Sequence, residues 1–193
     1  VIALPLEYNL KLKVLGSYYL GLPLNPRYPL SGVHSVAEPF KNLLNQQLVE
    51  YMADHFDRHY SHFDQNAFIV TATRGLESLE LKARSEHITQ AMTKHFPADF
   101  EEAGNILLAS LGPEQTDNQS LDDGQEVGIS GWAMTILANY VALKGQGHFD
   151  LSMMLLKEMT KRFSSEFAIR FFILQSQEKT LALFELWVKD PDQ

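Results

Sequence analysis

The chain has 193 residues, of which 45% are apolar and none is cysteine, and its 16 Lys and Arg face 24 Asp and Glu for a formal charge of −8. This length fits one domain, or one domain with an appendage, and the apolar content excludes a wholly disordered chain. The lack of cysteine excludes a disulfide scaffold, a thiolate metal site, an iron–sulfur cluster and a cysteine nucleophile. No apolar run reaches the roughly 18 residues of a membrane span and no signal peptide is evident, so the cytoplasm is the expected compartment.

The negative charge belongs to one segment. Residues 98–130 hold eight acids and no Lys or Arg, and the remaining 16 acids balance the 16 bases. Within that segment, residues 113–129 are polar and glycine-containing and predict an acidic loop. Residues 144–179 hold six bases and four acids, so a locally basic surface can form there, although a mixed, solvated helix face is the more common meaning of such a run.

The first 35 residues differ from the rest. They hold four of the eight prolines, and residues 8–14 alternate polar and apolar side chains before Gly16 and Gly21. This pattern predicts a short strand or hairpin arm. We therefore divide the chain into an N-terminal extension, 1–35, and a main domain, 36–193.

The main domain has helical periodicity, because apolar residues recur at three- and four-residue steps. Asp64 is a candidate cap for a short helix, and no convincing strand follows it. In chain order, the helices are predicted at 40–56, 64–70, 79–96 and 97–112, and at about 130–144, 149–163, 165–175 and 177–189.

A short repeat runs through these helices. Residues 92–100 (MTKHFPADF) align with 159–167 (MTKRFSSEF) at five identical positions of nine, and 52–56 (MADHF) is a fainter copy. The copies lie 40 and 67 residues apart, and the second spacing falls to 50 without the 17-residue acidic loop. Paired helices at periods of about 40–47 residues are typical of HEAT-like arrays. The sequence therefore predicts an all-α, HEAT-like solenoid of paired antiparallel helices with a concave face suited to a long partner.

The densest set of potential metal ligands is His55, His59 and His62 beside Asp54 and Asp57. His55 and His59 are one helical turn apart, but no HExxH motif or third ligand at a recognisable spacing accompanies them. Exposed histidines at a helix end are the more common meaning of this pattern. No metal and no cofactor are predicted.

Glu166 is the acid of greatest chemical interest, although the local sequence alone favours a structural role for it. It lies in the first turn of a predicted helix, where an acid complements the helix dipole, and Arg170 one turn later would form an ordinary ion pair. Asp99 occupies the equivalent repeat position, which supports that interpretation. Trp132 is likewise more often a core residue than a contact.

Several stretches resemble the HEAT-like DNA alkylation repair glycosylases of the AlkC branch, which are relatives of AlkD. The resemblance covers roughly residues 36–193 and is most distinctive at 156–170 (LKEMTKRFSSEFAIR). The other matching stretches are 37–42 (AEPFKN), 79–84 (LELKAR), 106–113 (ILLASLGP), 131–133 (GWA) and 148–151 (HFDL).

The resemblance implies a solenoid that cradles double-stranded DNA and hydrolyses the N-glycosidic bond of cationic alkylated bases, such as 3-methyladenine and 3-methylcytosine. A cationic base is already a good leaving group, so a carboxylate that stabilises an oxocarbenium-like sugar and positions water meets the chemical need without a metal. On the matching motifs, Glu166 is implied as that carboxylate and Trp132 as a residue stacking on the lesion or sugar. The implied DNA phosphate contacts are Lys157, Lys161, Arg162 and Arg170.

Three features depart from the family pattern. Residues 1–35 precede it, Phe171 follows Arg170 where relatives usually have proline, and the chain stops at Gln193 where relatives continue through further repeats. The leading hypothesis is an alkylated-DNA glycosylase or the N-terminal portion of one. The alternative is a catalytically inactive HEAT-like module that binds DNA or protein. Self-association through residues 1–35 or through an exposed C-terminal repeat is a further expectation.

Overall fold

A computed structural model of the chain describes residues 40–114 and 128–189, all within the compact unit Glu38–Gln193. These residues form eight α-helices and three short 3₁₀ helices, with one isolated β-bridge and no strand among them. The α-helices are α1 Gln46–His59, α2 Gln65–Thr73, α3 Leu81–His95, α4 Phe100–Ser110, α5 Ala133–Lys144, α6 Phe149–Thr160, α7 Arg170–Ile173 and α8 Gln177–Trp187. The 3₁₀ helices are Phe40–Leu43, Leu76–Ser78 and Glu166–Ile169. The arm predicted at residues 8–14 and most of the acidic loop lie outside the described residues.

The helices pack in two layers. One layer consists of α3, α5 and the Glu166–Ile169 helix, and α5 packs on both of the others. The other layer consists of α1, α4 and α6, and α4 packs on both of the others. Successive helices alternate between the layers from α3 to α6, as in an array of helix pairs. The prediction of an all-α, HEAT-like architecture is confirmed.

Three helices begin at a side-chain cap. Each capping oxygen accepts a hydrogen bond from a backbone N–H three residues later, which satisfies one donor that the helix leaves unpaired. The prediction that Asp64 caps a helix is correct, and α2 extends to Thr73. The single helix predicted at 40–56 is wrong, because Asn45 caps α1 and separates it from the 3₁₀ helix Phe40–Leu43. The capping bonds join Asn45 to Leu48, Asp64 to Ala67 and Asp99 to Glu102 at 2.8 to 2.9 Å.

The repeated phenylalanines lie where successive helix pairs meet. Phe56 is fully buried in α1, and its ring centroid is 4.7 Å from that of Phe96, which follows α3. Phe96 in turn lies 5.3 Å from Tyr140 of α5. Phe163, the third repeated phenylalanine, is half-buried and packs on Trp132 instead. The repeat is therefore a core feature in its first two copies and reaches a partly exposed edge in its third.

Tyr140 provides a test of this core. Its side chain is fully buried, its hydroxyl has no hydrogen-bond partner among the described residues, and burial raises the pKa of the phenol well above its ordinary range. An unpaired buried hydroxyl costs about 1–3 kcal/mol, and phenylalanine would keep the ring contact with Phe96. We expect Tyr140→Phe to raise the free energy of unfolding by about 1 kcal/mol, measured by urea denaturation.

Tyr51→Phe is the matched control for that measurement. The Tyr51 hydroxyl donates a hydrogen bond to the carbonyl of Gly128, so its removal is expected to lower stability or leave it unchanged. If the Tyr140→Phe protein unfolds at a lower urea concentration than the wild type, the conclusion that the Tyr140 hydroxyl is unpaired is contradicted.

Candidate functional site

Three of the six predicted site residues, Trp132, Lys161 and Arg162, lie on two loops that join successive helix pairs. The described residues of the first loop, 111–114 and 128–132, lie between α4 and α5, and the second loop, residues 161–165, joins α6 to the Glu166–Ile169 helix. Contacts cross from one loop to the other at Trp132, Arg162 and Lys161. We call the described residues of these two loops, together with Glu166, the candidate site.

Trp132 lies between two other rings. Its ring centroid is 5.5 Å from that of Phe163 and 6.1 Å from that of Phe40, and both pairs are tilted. Gly131, whose φ of 63° favours glycine, turns the chain immediately before it. Trp132 is half-buried, whereas Phe40 is 58% exposed, so this aromatic group is partly open to solvent. The stacking role of Trp132 stays a prediction.

Glu166 opens a 3₁₀ helix rather than the α-helix predicted at 165–175. Ser165 precedes it but caps nothing with its side chain, because its hydroxyl donates to the carbonyl oxygen of Phe163 at 2.9 Å. Glu166 is half-buried, and its Oε2 is buried without a hydrogen-bond partner among the described residues. A buried carboxylate oxygen with no partner is unusual and has a desolvation cost.

The structural role expected for Glu166 is met in part, because the acid lies in the first turn of a helix, although a 3₁₀ helix. The ion pair predicted between Glu166 and Arg170 is not among the salt bridges of the described residues. Arg170 is exposed, and its guanidinium carbon lies 4.8 Å from the ring centroid of Phe171. Asp99, the repeat counterpart of Glu166, caps α4. The two acids are equivalent in sequence but not in function within the fold.

The basic pair after α6 is engaged by acids and carbonyls. The Lys161 ammonium lies 2.9 Å from the carboxylates of both Glu114 and Glu158, and these hydrogen bonds raise its pKa. The Arg162 guanidinium donates to the carbonyl of Gly112 and to both the carbonyl and the carboxylate of Glu158. Although partial burial acts to raise the pKa of Glu158, hydrogen bonds from Lys161 and Arg162 lower it overall. Of the other two predicted phosphate contacts, Arg170 is exposed and Lys157 is half-buried in the last turn of α6.

The acidic loop is fixed at both ends. The N–H of Gly112 donates to the carbonyl of Ile129 at 2.9 Å, and the N–H of Ile129 donates to the carbonyl of Ser110 at 2.7 Å. At Gly128, a Cβ would lie 2.6 Å from backbone atoms of residues 111 and 112, so only glycine fits this crossing. Gly128 also accepts the Tyr51 hydrogen bond from α1. Sequence reasoning missed Tyr51 and Gly128, of which only the glycine gave a local signal.

The histidines in and just after α1 are divided between the core and the surface. His55 is buried, with its ring 4.7 Å from that of Tyr51, so the expectation of an exposed histidine is wrong there, while His59 and His62 are exposed. In the described ranges, no group of three or more His, Cys, Asp or Glu could hold a metal ion. None of the helices described is long and apolar enough to cross a membrane.

Comparison with known proteins supports an AlkC-like fold. No protein-family model matches the sequence. The chain is 28% identical over 148 residues to "Uncharacterized protein YhaZ" of Bacillus subtilis (strain 168), a match that covers 76% of this chain and 37% of the relative. The structure of Pseudomonas fluorescens alkylpurine DNA glycosylase AlkC, bound to DNA containing an abasic site analog, matches 80% of this chain and 40% of that chain with 28% identity and a TM-score of 0.67.

The resemblance to AlkC seen in the sequence is therefore confirmed at the level of the fold, which is that of a HEAT-like alkylpurine glycosylase. The chain spans about 40% of the length of the proteins that it matches.

Proposed function

We propose that this chain, which has the AlkC-like fold, takes part in DNA repair as a glycosylase, or as the N-terminal portion of one, that excises cationic alkylated bases from double-stranded DNA. The observation that carries this proposal is the buried Oε2 of Glu166, which has no hydrogen-bond partner in the described part of the chain. The fold uses the equivalent Asp99 as a helix cap and does not use Glu166 in that way. A buried carboxylate oxygen that the described part of the fold leaves unpaired supports a role for Glu166 in chemistry.

The reaction proposed for Glu166 needs only a negative charge near the sugar. When the bond between C1′ and the cationic base breaks, the base leaves with the bonding electron pair and becomes neutral, and the sugar becomes an oxocarbenium-like cation. The Glu166 carboxylate would stabilise that cation, and water would then attack C1′ and lose a proton. Trp132 would add a cation–π contact to the lesion or the sugar.

The proposed DNA partner also needs basic groups that contact phosphate without reading sequence. Arg170 and Lys161 are both exposed, but Lys161 is bound to two acids. Lys157 is kept as a proposed contact, and Arg162 is considered separately below. The cytoplasm remains the proposed compartment, and self-association through residues 1–35 or the C-terminal repeat remains a proposal as well.

The proposal is tested by incubating the protein with methylated duplex DNA and measuring free 3-methyladenine and 3-methylcytosine by mass spectrometry. We expect release from methylated DNA and none from untreated DNA of the same sequence. If no base is released but salt-sensitive DNA binding is retained, the alternative of a catalytically inactive DNA-binding module is favoured. Absence of both activities would contradict the DNA-repair proposal.

Glu114 gives a prediction about this partner. Its carboxylate holds the Lys161 ammonium at 2.9 Å, where it competes with any phosphate. Because both groups are partly exposed, the pair is worth little, and we expect Glu114→Gln to raise the affinity for undamaged duplex DNA about 2- to 5-fold. The affinity is measured by the fluorescence anisotropy of labelled DNA across a salt series. Glu178→Gln, the same charge change in α8, is the control for net charge, and an equal gain there would contradict a local effect.

A further inference from the structure

Arg162 is more enclosed than Lys161, the base that precedes it in the chain. Its side chain is 12% exposed, against 37% for that of the neighbouring Lys161. Its Nε donates to the carbonyl of Gly112, and its Nη1 donates to the carbonyl of Glu158 at 2.6 Å and to the carboxylate of Glu158 at 3.2 Å. A guanidinium whose donors already face three protein acceptors is poorly placed to bind a phosphate from solvent.

These bonds join the two loops of the candidate site. Gly112, which accepts from Arg162, also donates to Ile129 at 2.9 Å, and Ile129 lies three residues before Trp132. Phe163, the next residue after Arg162, packs on Trp132 with ring centroids 5.5 Å apart. Glu166 begins the following 3₁₀ helix. Arg162 therefore stands at the junction between the loop that leads to Trp132 and the loop that leads to Glu166.

We propose that Arg162 is a positioning residue, which fixes Trp132 relative to Glu166 and does not contact DNA phosphate. This inference rests on the proposed glycosylase function and replaces the phosphate role that the resemblance implied for Arg162. Arginine suits the position because its planar guanidinium donates in two directions at once, to Gly112 and to Glu158. A lysine ammonium at the end of a thinner side chain would satisfy one of these sites and leave the other unpaired.

The first test is spectroscopic and needs no catalysis. The chain has two tryptophans, so a Trp187→Phe background leaves Trp132 as the only fluorescent indole. In that background, we expect Arg162→Gln and Arg162→Lys each to shift Trp132 emission to the red and to increase its quenching by acrylamide. Arg170→Gln, which removes an exposed charge nearby in sequence, is expected to leave the emission unchanged. If helicity is retained and Trp132 emission is unchanged in both Arg162 variants, the proposal is overturned.

The second test separates positioning from phosphate binding. A lost phosphate contact reduces the slope of log K against log salt concentration by about 0.9. We expect this reduction for Arg170→Gln and no reduction for Arg162→Gln. Single-turnover base release is expected to slow about 10-fold in both Arg162→Gln and Arg162→Lys, with the DNA concentration for half-maximal rate within about 2-fold of wild type.

A reduced salt slope in Arg162→Gln, or full rescue of the rate by Arg162→Lys, would overturn the positioning role, because charge alone would then suffice. If Arg162→Gln does not fold, Arg162→Lys carries the fluorescence and rate measurements, because unchanged Trp132 emission or a wild-type rate in that variant overturns the proposal. A wild-type protein that releases no base refutes the proposed function, whereas the fluorescence of Trp132 still decides whether Arg162 holds the two loops together.

Discussion

Replacing Glu166 by glutamine is expected to lower the rate of 3-methyladenine release at least about 100-fold, because it removes the charge that would oppose the developing sugar cation. The substitution keeps the size of the side chain, and Oε2 has no hydrogen-bond partner among the described residues. Folding should therefore be unaffected or slightly improved. DNA affinity should be unchanged or higher, because a buried negative charge near phosphates opposes binding. Single-turnover release and anisotropy, measured on the same preparation, check both expectations.

Asp99→Asn is the matched control for this variant. It makes the same change of charge at the equivalent repeat position, and asparagine still accepts the capping hydrogen bond from the N–H of Glu102. We expect Asp99→Asn to keep wild-type release and nearly wild-type stability. If Glu166→Gln releases base as fast as Asp99→Asn does, Glu166 is not the catalytic carboxylate. If Glu166→Gln loses helicity, the structural interpretation of this acid regains its support.

Much of the fold was predictable because it depends on local rules. Asp64 caps a helix as predicted, since a short acidic side chain reaches an N–H three residues ahead, whatever lies elsewhere in the chain. Asp99, expected inside a helix that starts at residue 97, caps α4 by the same rule. The helical periodicity and the repeated phenylalanines likewise reflect burial of one face of each helix. The prediction failed at Asn45, where a cap inside an apolar stripe starts a new helix. Periodicity alone does not show that interruption.

The candidate site was less predictable because its contacts are not local. The repeat equates Glu166 with Asp99, yet a 3₁₀ turn after Ser165 changes what the acid can reach. The sequence shows two adjacent bases, Lys161 and Arg162, and does not distinguish their roles. In the structure, Arg162 donates to a carbonyl 50 residues earlier, whereas Lys161 pairs with Glu114. Such contacts depend on how the helix pairs stack. Residue types identified the candidates, and packing decides what each one is able to do.

Arg84 shows the same dependence on packing, and it carries the largest stability effect that we predict. It belongs to the 79–84 stretch that resembles AlkC, and it is only 4% exposed. Its guanidinium donates to four backbone carbonyls, which belong to Lys41, Leu44, Glu77 and Leu79 at 2.8 to 3.1 Å. These bonds join two 3₁₀ segments to the start of α3. They pair backbone carbonyls that have no partner within a helix and that would otherwise be buried without a hydrogen bond.

Arg84→Met is expected to lower the free energy of unfolding by about 3 kcal/mol, because it fills the space but leaves these carbonyls unpaired. For a chain of this size, that loss corresponds to a melting temperature lower by about 6–12 °C. Arg74→Met is the matched control, since Arg74 is exposed at the end of α2 and its replacement should change stability by less than about 0.5 kcal/mol. Arg84→Lys should fall between the two, because an ammonium keeps the charge but reaches fewer of the four carbonyls. Equal melting temperatures for Arg84→Met and Arg74→Met would show that water replaces the guanidinium at little cost. Arg84 would then not be what holds the two 3₁₀ segments to α3.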